Sequence, residues 1–213
     1  MFTGLIEETG MVAGINKQNN GAVISIKCVK ILDDLKQGDS VAVDGVCQTV
    51  TKINSAGFEV ETSAETLKLT ILNDYKTRQV INLERAMSAN SRFGGHIVSG
   101  HVEGTGFFLK KEKQGLAYIF YFNAPENILK YMVYKGSICV NGISLTIASI
   151  KENVFSTAII PSTIEQTTLK LLDQGDKVNL EPDILAKYVE KFAGKYDHKI
   201  EKINEHYLKE HGF

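Results

Sequence analysis

The chain contains one stretch twice. Ser40-Val41-Ala42-Val43-Asp44-Gly45-Val46-Cys47-Gln48-Thr49-Val50 returns 97 residues later as Ser137-Ile138-Cys139-Val140-Asn141-Gly142-Ile143-Ser144-Leu145-Thr146-Ile147, with four of eleven positions identical. Most of the others are conservative exchanges, Val for Ile, Asp for Asn, Cys for Ser. The same register carries Glu65-Thr66-Leu67 onto Ser162-Thr163-Ile164, and Val80-Ile81-Asn82-Leu83-Glu84 onto Lys177-Val178-Asn179-Leu180-Glu181. Nearer the start the offset is 96 and maps Gly4, Thr9 and Gly10 onto Gly100, Thr105 and Gly106. A period this long is a duplicated domain; solenoid units run to roughly 20–50 residues. The expected division is a first domain at 1–90, a second at 96–184 and an unrepeated tail at 185–209, with Ser88, Asn90, Ser91, Gly94 and Gly95 as breakers in the link. Two copies of one domain imply two similar pockets.

Composition excludes several classes. Apolar content is 43% and net charge is −1 with both signs interspersed, so nothing marks a nucleic-acid or membrane partner. No apolar run approaches membrane-spanning length, and the first residues lack the basic and apolar regions of a signal peptide. Cys28, Cys47 and Cys139 share no metal-ligand spacing and read as reduced thiols in a cytoplasm.

Each half reads as short strands. Val41/Val43, Phe58/Val60 and Val178/Leu180 alternate with their neighbours at the period of a half-buried strand. Asp44-Gly45 and Asn141-Gly142 tolerate positive φ at both central positions and favour tight type I′ hairpins. No strand–long helix–strand rhythm occurs, so a small closed antiparallel barrel is expected in each half, with an all-β fold overall. Short helices are expected over Glu126–Tyr134, with Ile128, Leu129, Met132 and Val133 on one face, and after Pro161. There Ser162 and Glu165 resemble a capping box whose counterpart follows Ser63.

The tail is helical. Leu185, Val189, Phe192, Tyr196, Ile200, Ile203 and Tyr207 make an apolar stripe over about six turns. It could pack on its own barrel or form a seam between subunits. The second reading fits better, because a small barrel offers little surface to cover so long a stripe.

The repeated hairpin sets Cys47 and Thr49 on one strand face, with Ser144 and Thr146 in the equivalent places, suited to hydrogen bonding a flat polar heterocycle. His96 and His101 flank Ser99-Gly100. On a strand they would point to opposite faces, and no third ligand is spaced for zinc. A histidine at the pocket edge is a proton-transfer candidate. Lys135 reads, on sequence alone, as an exposed turn lysine. No glycine-rich phosphate loop is present.

These motifs resemble the riboflavin synthase family. The resemblance lies in Met1-Phe2-Thr3-Gly4-Leu5-Ile6-Glu7, in Gly94-Gly95-His96-Ile97-Val98-Ser99-Gly100-His101-Val102 and in Asn141-Gly142-Ile143-Ser144-Leu145-Thr146. It implies two six-stranded Greek-key barrels, each binding one lumazine, and a C-terminal helix that holds a homotrimer. The implied reaction is a dismutation: one 6,7-dimethyl-8-ribityllumazine gives four carbons to another, yielding riboflavin and 5-amino-6-(D-ribitylamino)uracil. No metal or redox cofactor is implied. The active site would pair the first barrel of one subunit with the second barrel of its neighbour. Docking with lumazine synthase, which makes the substrate, comes from the resemblance alone.

Carried over by motif, the first pocket is expected to use Gly4, Leu5 and Ile6, then Cys47, Gln48 and Thr49, then Glu61, Thr62, Ser63, Ala64, Glu65 and Thr66. The second is expected to use Gly100, His101 and Val102, then Ser144, Leu145 and Thr146, then Ala158, Ile159, Ile160, Pro161, Ser162 and Thr163. Lys135 would reach a lumazine across the subunit boundary. Ser40, Cys47 and His101 match positions tied to catalysis, and Phe2 an aromatic near the site. Gln48 departs from the aliphatic residue expected between Cys and Thr, and strand alternation turns it away from the pocket. Cys47 against Ser144, and Leu5 against His101, imply that one barrel holds the acceptor and the other the donor. The competing reading is a non-catalytic, antenna-type lumazine- or flavin-binding protein of the same fold, but that class tends to lose polar residues that Ser144, Thr146 and His101 retain here.

Overall fold

The computed structural model describes residues 1–196, 205–210 and 212. Residues Met1–Asp183 form one compact unit and the tail another. The first barrel is built from β1 (Glu8–Gln18), β2 (Gly21–Lys27), β3 (Ser40–Val43), β4 (Val46–Asn54), β5 (Gly57–Ser63) and β6 (Val80–Arg85). The second is built from β7 (Gly104–Gln114), β8 (Ala117–Asn123), β9 (Ser137–Val140), β10 (Ile143–Lys151), β11 (Val154–Ile159) and β12 (Lys177–Pro182). Both sheets close, and each strand sits between the same two neighbours as its counterpart: β1-β2-β5-β4-β3-β6 in one, β7-β8-β11-β10-β9-β12 in the other. A bulge breaks β1 after Val12 and β7 after Phe108; another breaks β4 after Val50 and β10 after Ile147. An extra residue bends its strand, and bends at matching places let six short strands curl shut.

The two cores differ in filling. Val12, Ile24, Val41, Val43, Val60, Ile81 and Leu83 are wholly buried in the first. The second packs Phe108, Phe120, Phe122 and Phe155, with neighbouring ring centroids 5.4–5.6 Å apart for three of their pairs. Tilted and offset ring pairs at such separations add to the burial of apolar area.

The barrels meet at their type I′ turns. Asp44 and Gly45 have φ of 43° and 80°, and Asn141 and Gly142 have φ of 46° and 81°. A Cβ on Gly45 would stand 2.6 Å from the Gly142 nitrogen, so only glycine lets the turns touch. Two buried asparagines then cross-link the copies. Asn82 Nδ2 donates to the Asn141 carbonyl (2.9 Å) and Thr168 Oγ1 (2.8 Å), and its Oδ1 accepts from Thr168 N–H (2.9 Å). Asn179 Nδ2 donates to the Asp44 carbonyl (2.8 Å), and its Oδ1 accepts from Ile71 N–H (2.9 Å).

Two expectations change. Helix α1 (Ala64–Leu69) lies in the first copy, and the helix expected over Glu126–Tyr134 is the single turn α2 (Glu126–Leu129). Tyr131 and Met132 N–H then bond three residues back, which tightens the chain out of the helix and leaves Val133 63% exposed. In α3 (Pro161–Gln166) the N-cap is Ile160 and Pro161 opens the helix, so Ser162 is already inside and caps nothing; in the first copy Ser63 does cap, accepting from Thr66 N–H. In the tail, α4 covers Ile184–Tyr196 and α5 covers Glu205–Glu210. Leu185, Tyr188, Val189 and Phe192 on α4 are exposed, while Ile200 and Ile203 lie outside the described residues.

Asp44 gives the junction a pH dependence. Its carboxylate accepts from Tyr75 Oη (2.6 Å) and Asn82 N–H (2.8 Å), yet burial pushes its pKa up to about 7. That lies above the unfolded value of about 3.9. The stabilisation is therefore complete below about pH 4 and is lost as pH rises toward the folded pKa. Asn141 shows that an amide fits the equivalent place. Urea unfolding between about pH 5 and 8 should show wild type losing stability relative to Asp44→Asn as pH rises; a pH-independent difference would contradict it.

Candidate active site

Each copy is preceded by a lead-in segment, and the two segments cross. Phe2 N–H donates to the Val98 carbonyl (2.8 Å), and Val98 N–H donates to the Phe2 carbonyl (3.2 Å). Both side chains are wholly buried. Glu84 on β6 accepts from Thr3 N–H (2.7 Å), Thr3 Oγ1 (2.7 Å) and Gly4 N–H (3.0 Å). Glu181 on β12 does the same for Ser99 N–H (2.7 Å), Ser99 Oγ (2.6 Å) and Gly100 N–H (3.0 Å). Burial raises the pKa of both carboxyls, against the lowering effect of these donors.

The crossing exchanges the segments between pockets. The Gly100 carbonyl accepts from Cys47 N–H of the first barrel (2.8 Å), and the Gly4 carbonyl accepts from Ser144 N–H of the second (2.8 Å). Val102 packs on the first core and Ile6 on the second. The grouping expected from sequence order is thus reversed. Gly4, Leu5 and Ile6 lie with Ser144, while Gly100, His101 and Val102 lie with Cys47. The physical reason is the Phe2–Val98 pairing: each segment is anchored by the glutamate of its own copy but lays its glycine carbonyl on the other hairpin.

At both hairpins the sheet stops short. The β4–β5 ladder ends at Val50–Val60, and the β10–β11 ladder ends at Ile147–Thr157. Cys47–Thr49 therefore face Glu61–Ser63, and Ser144–Thr146 face Ala158–Ile160, beyond the last strand pair. The residues following, Ala64–Thr66 and Pro161–Thr163, open α1 and α3. Each gap combines strand edge, hydroxyl or thiol, and helix start. Cys47 is half-buried and Thr49 exposed; Gln48 between them is buried and points into the barrel, as alternation requires. Thr62 is likewise buried on the inward face of β5.

The pockets carry unlike chemistry. His96 is 7% exposed, and its Nδ1 lies 2.7 Å from Ser144 Oγ. Burial lowers its pKa, only partly opposed by Asp183, which favours a neutral ring. The second pocket thus holds a Ser–His pair beside apolar Leu5, whereas the first holds Cys47 near exposed His101. Sequence reasoning chose His101 and passed over His96, placing both on a strand; the segment is instead a loop with one bridge at Val98. Asn82/Asn179 and Glu84/Glu181 were also passed over, although the repeat preserves both pairs.

Ser40 opens β3 and lines a cavity of about 460 Å³ with Thr3, Leu5, Glu84, Arg85 and Met87. Arg85 there is held by Glu7 and Asp34. Lys135 is exposed in a turn with φ of 64°, where the first copy has Gly38 at 93°. A left-handed lysine in place of a glycine carries strain of about 1–2 kcal/mol, which makes it a functional candidate. Among the described residues no cluster of His, Cys, Asp or Glu could hold a metal.

A tandem barrel with two such gaps is a lumazine-binding architecture: residues 3–86 and 99–183 each match the Lumazine binding domain family. The chain belongs to the riboflavin synthase family. It is 43% identical over 215 residues to the riboflavin synthase of Actinobacillus pleuropneumoniae, covering all of both chains. It is equally similar, over the same extent, to that of Bacillus subtilis (strain 168). By fold it resembles LumP complexed with 6,7-dimethyl-8-(1′-D-ribityl) lumazine, with a TM-score of 0.77 at 21% identity over 85% of this chain and 98% of LumP.

Gly100→Ala tests the crossing. Gly100 has φ of 80°, and a Cβ there would stand 2.6 Å from Cys47 Cβ. The backbone conformation alone costs about 1–3 kcal/mol. Gly14→Ala is the control, with nothing within 4 Å of the added carbon. Urea unfolding should show Gly100→Ala destabilised by at least about 2 kcal/mol and Gly14→Ala within about 0.5 kcal/mol of wild type.

Proposed function

We propose that this chain catalyses the dismutation of two 6,7-dimethyl-8-ribityllumazine molecules to riboflavin and 5-amino-6-(D-ribitylamino)uracil. The observation that carries the reading is the pair of related but unlike pockets in one chain. A reaction between two copies of one molecule, in which one gives and the other receives, needs that arrangement. The four-carbon unit lost by one lumazine is gained by the other, so no outside oxidant or reductant enters the balance.

The C7 methyl of the lumazine is acidic because its anion delocalises into the ring. A positioned base supplies about 10²–10⁴-fold in rate. His101 beside Cys47, and the His96–Ser144 pair, are the groups placed for proton transfer. Addition at C7 of the acceptor falls to Cys47, Ser40 or water. Holding two flat rings face to face contributes up to roughly 7–11 kcal/mol. The strand gaps suit this, offering fixed backbone edges and small hydroxyls.

The working site is proposed to join the first barrel of one subunit to the second barrel of its neighbour in a homotrimer, with Lys135 reaching across. The exposed Leu185, Tyr188, Val189 and Phe192 of α4 support self-association. No helix among the described residues is long and apolar enough to cross a membrane, and all three cysteines are free thiols, which suits a cytoplasmic enzyme.

The assay supplies 6,7-dimethyl-8-ribityllumazine alone and follows riboflavin. Product is expected; tight binding of one lumazine per chain without product would establish the antenna-type reading instead. His101→Ala should lower turnover at least tenfold, and unchanged kinetics would remove it from proton transfer. A chain ending before Ile184 should elute as a monomer with little activity, and an active monomer would refute the site between subunits.

A further inference from the structure

The first barrel carries a polar pair that the second lacks. Gln48 and Thr62 are each 5% exposed and point inward, where the second copy has Leu145 and Ile159. Continuing the Val50–Val60 register by two residues sets Gln48 opposite Thr62, just past the end of the ladder. Gln48 Nε2 donates to the Cys47 carbonyl (2.9 Å). Gln48 Oε1 and Thr62 Oγ1 are both buried with no hydrogen-bond partner. A hydroxyl donor and an amide acceptor thus share one buried layer without being joined. Each carries a desolvation penalty that an apolar pair, as in the second barrel, would avoid.

In a tight hairpin the residues next to the turn, Val43 and Val46, form the hydrogen-bonded pair, so Cys47 turns its backbone groups away from β3 and toward β5. There the ladder has already ended. Its N–H is met by Gly100, and its carbonyl is met by the side chain of the next residue. Leu145 has no amide with which to do this for Ser144.

We propose that Gln48 is a positioning residue, coupled to Thr62, that fixes the Cys47–Thr49 edge of the first pocket and so sets that pocket's affinity for the flat heterocycle. The inference rests on the lumazine-pocket reading proposed above. Gln48 acts through the Cys47 carbonyl and does not touch the ring. The strand edge that would otherwise be held by a continued ladder is held by a carboxamide from inside the barrel. The hydroxyl of Thr62 is the group available to hold the other end of that carboxamide.

The test uses the full chain and two variants. Gln48→Leu with Thr62→Ile reproduces the second barrel's apolar pair, and Gln48→Met keeps length while removing the amide. Amide hydrogen exchange over residues 44–50 is read without ligand, and affinity for 6,7-dimethyl-8-ribityllumazine is read by fluorescence. Both variants should exchange at least fivefold faster over 44–50 but not over 141–147, and affinity should fall at least fivefold. The double variant should melt no lower than wild type. Unchanged exchange and affinity would overturn the proposal, as would a lower melting temperature with affinity intact, which marks a purely structural role. Should the double variant fail to fold, Gln48→Met decides. Were wild type itself not to bind lumazine, the pocket reading would fail, while exchange over 44–50 would still judge the positioning of the strand edge.

Discussion

Two backbone hydrogen bonds between Phe2 and Val98 cross the lead-in segments, and both candidate pockets depend on that crossing. It brings the Gly4 carbonyl to Ser144 and the Gly100 carbonyl to Cys47. Glu84 and Glu181 hold the crossing from either side, each collecting three donors from the segment of its own copy. A carboxylate accepting several hydrogen bonds can remain buried where an unpaired one could not. The glycines are required because a Cβ at either would overlap the hairpin it touches.

The asymmetry between copies follows from the same geometry. The second segment emerges from a linker, so His96 precedes it and reaches Ser144. One hairpin therefore has a histidine pressed against its hydroxyl, while the other has a thiol with a more exposed histidine nearby. Gln48 and Thr62 add a second asymmetry on the inward side of the first barrel. Two pockets of common origin are thus differentiated from both faces of the strand that builds them.

Several features were legible in the residues. Asp44-Gly45 and Asn141-Gly142 announced the type I′ turns, because few residues other than Gly, Asn and Asp accept positive φ at a two-residue hairpin. Alternation at Val41/Val43 and Val178/Leu180 announced strands, although β3 and β12 are buried on both faces and not on one, and Ser63 announced a cap. Ser162 looked equally like a cap and is not one, because Pro161 already occupies the first helical position and shifts the boundary by two residues. The helix after Pro125 is shorter than its apolar pattern implies for a related reason: such a pattern does not reveal that the next turn tightens and that Lys135 adopts a left-handed conformation.

The sequence by itself determined the duplication, the barrel class and the chemical types in each hairpin, since these depend on periodicity and turn chemistry within a few dozen residues. Only the tertiary structure decided which segment serves which hairpin, that His96 is a partner of Ser144, and that Asn82 and Asn179 join the barrels. Those contacts link residues at least 48 positions apart. Chain order alone would give each hairpin to its own segment, and the strand crossing at Phe2 and Val98 reverses that.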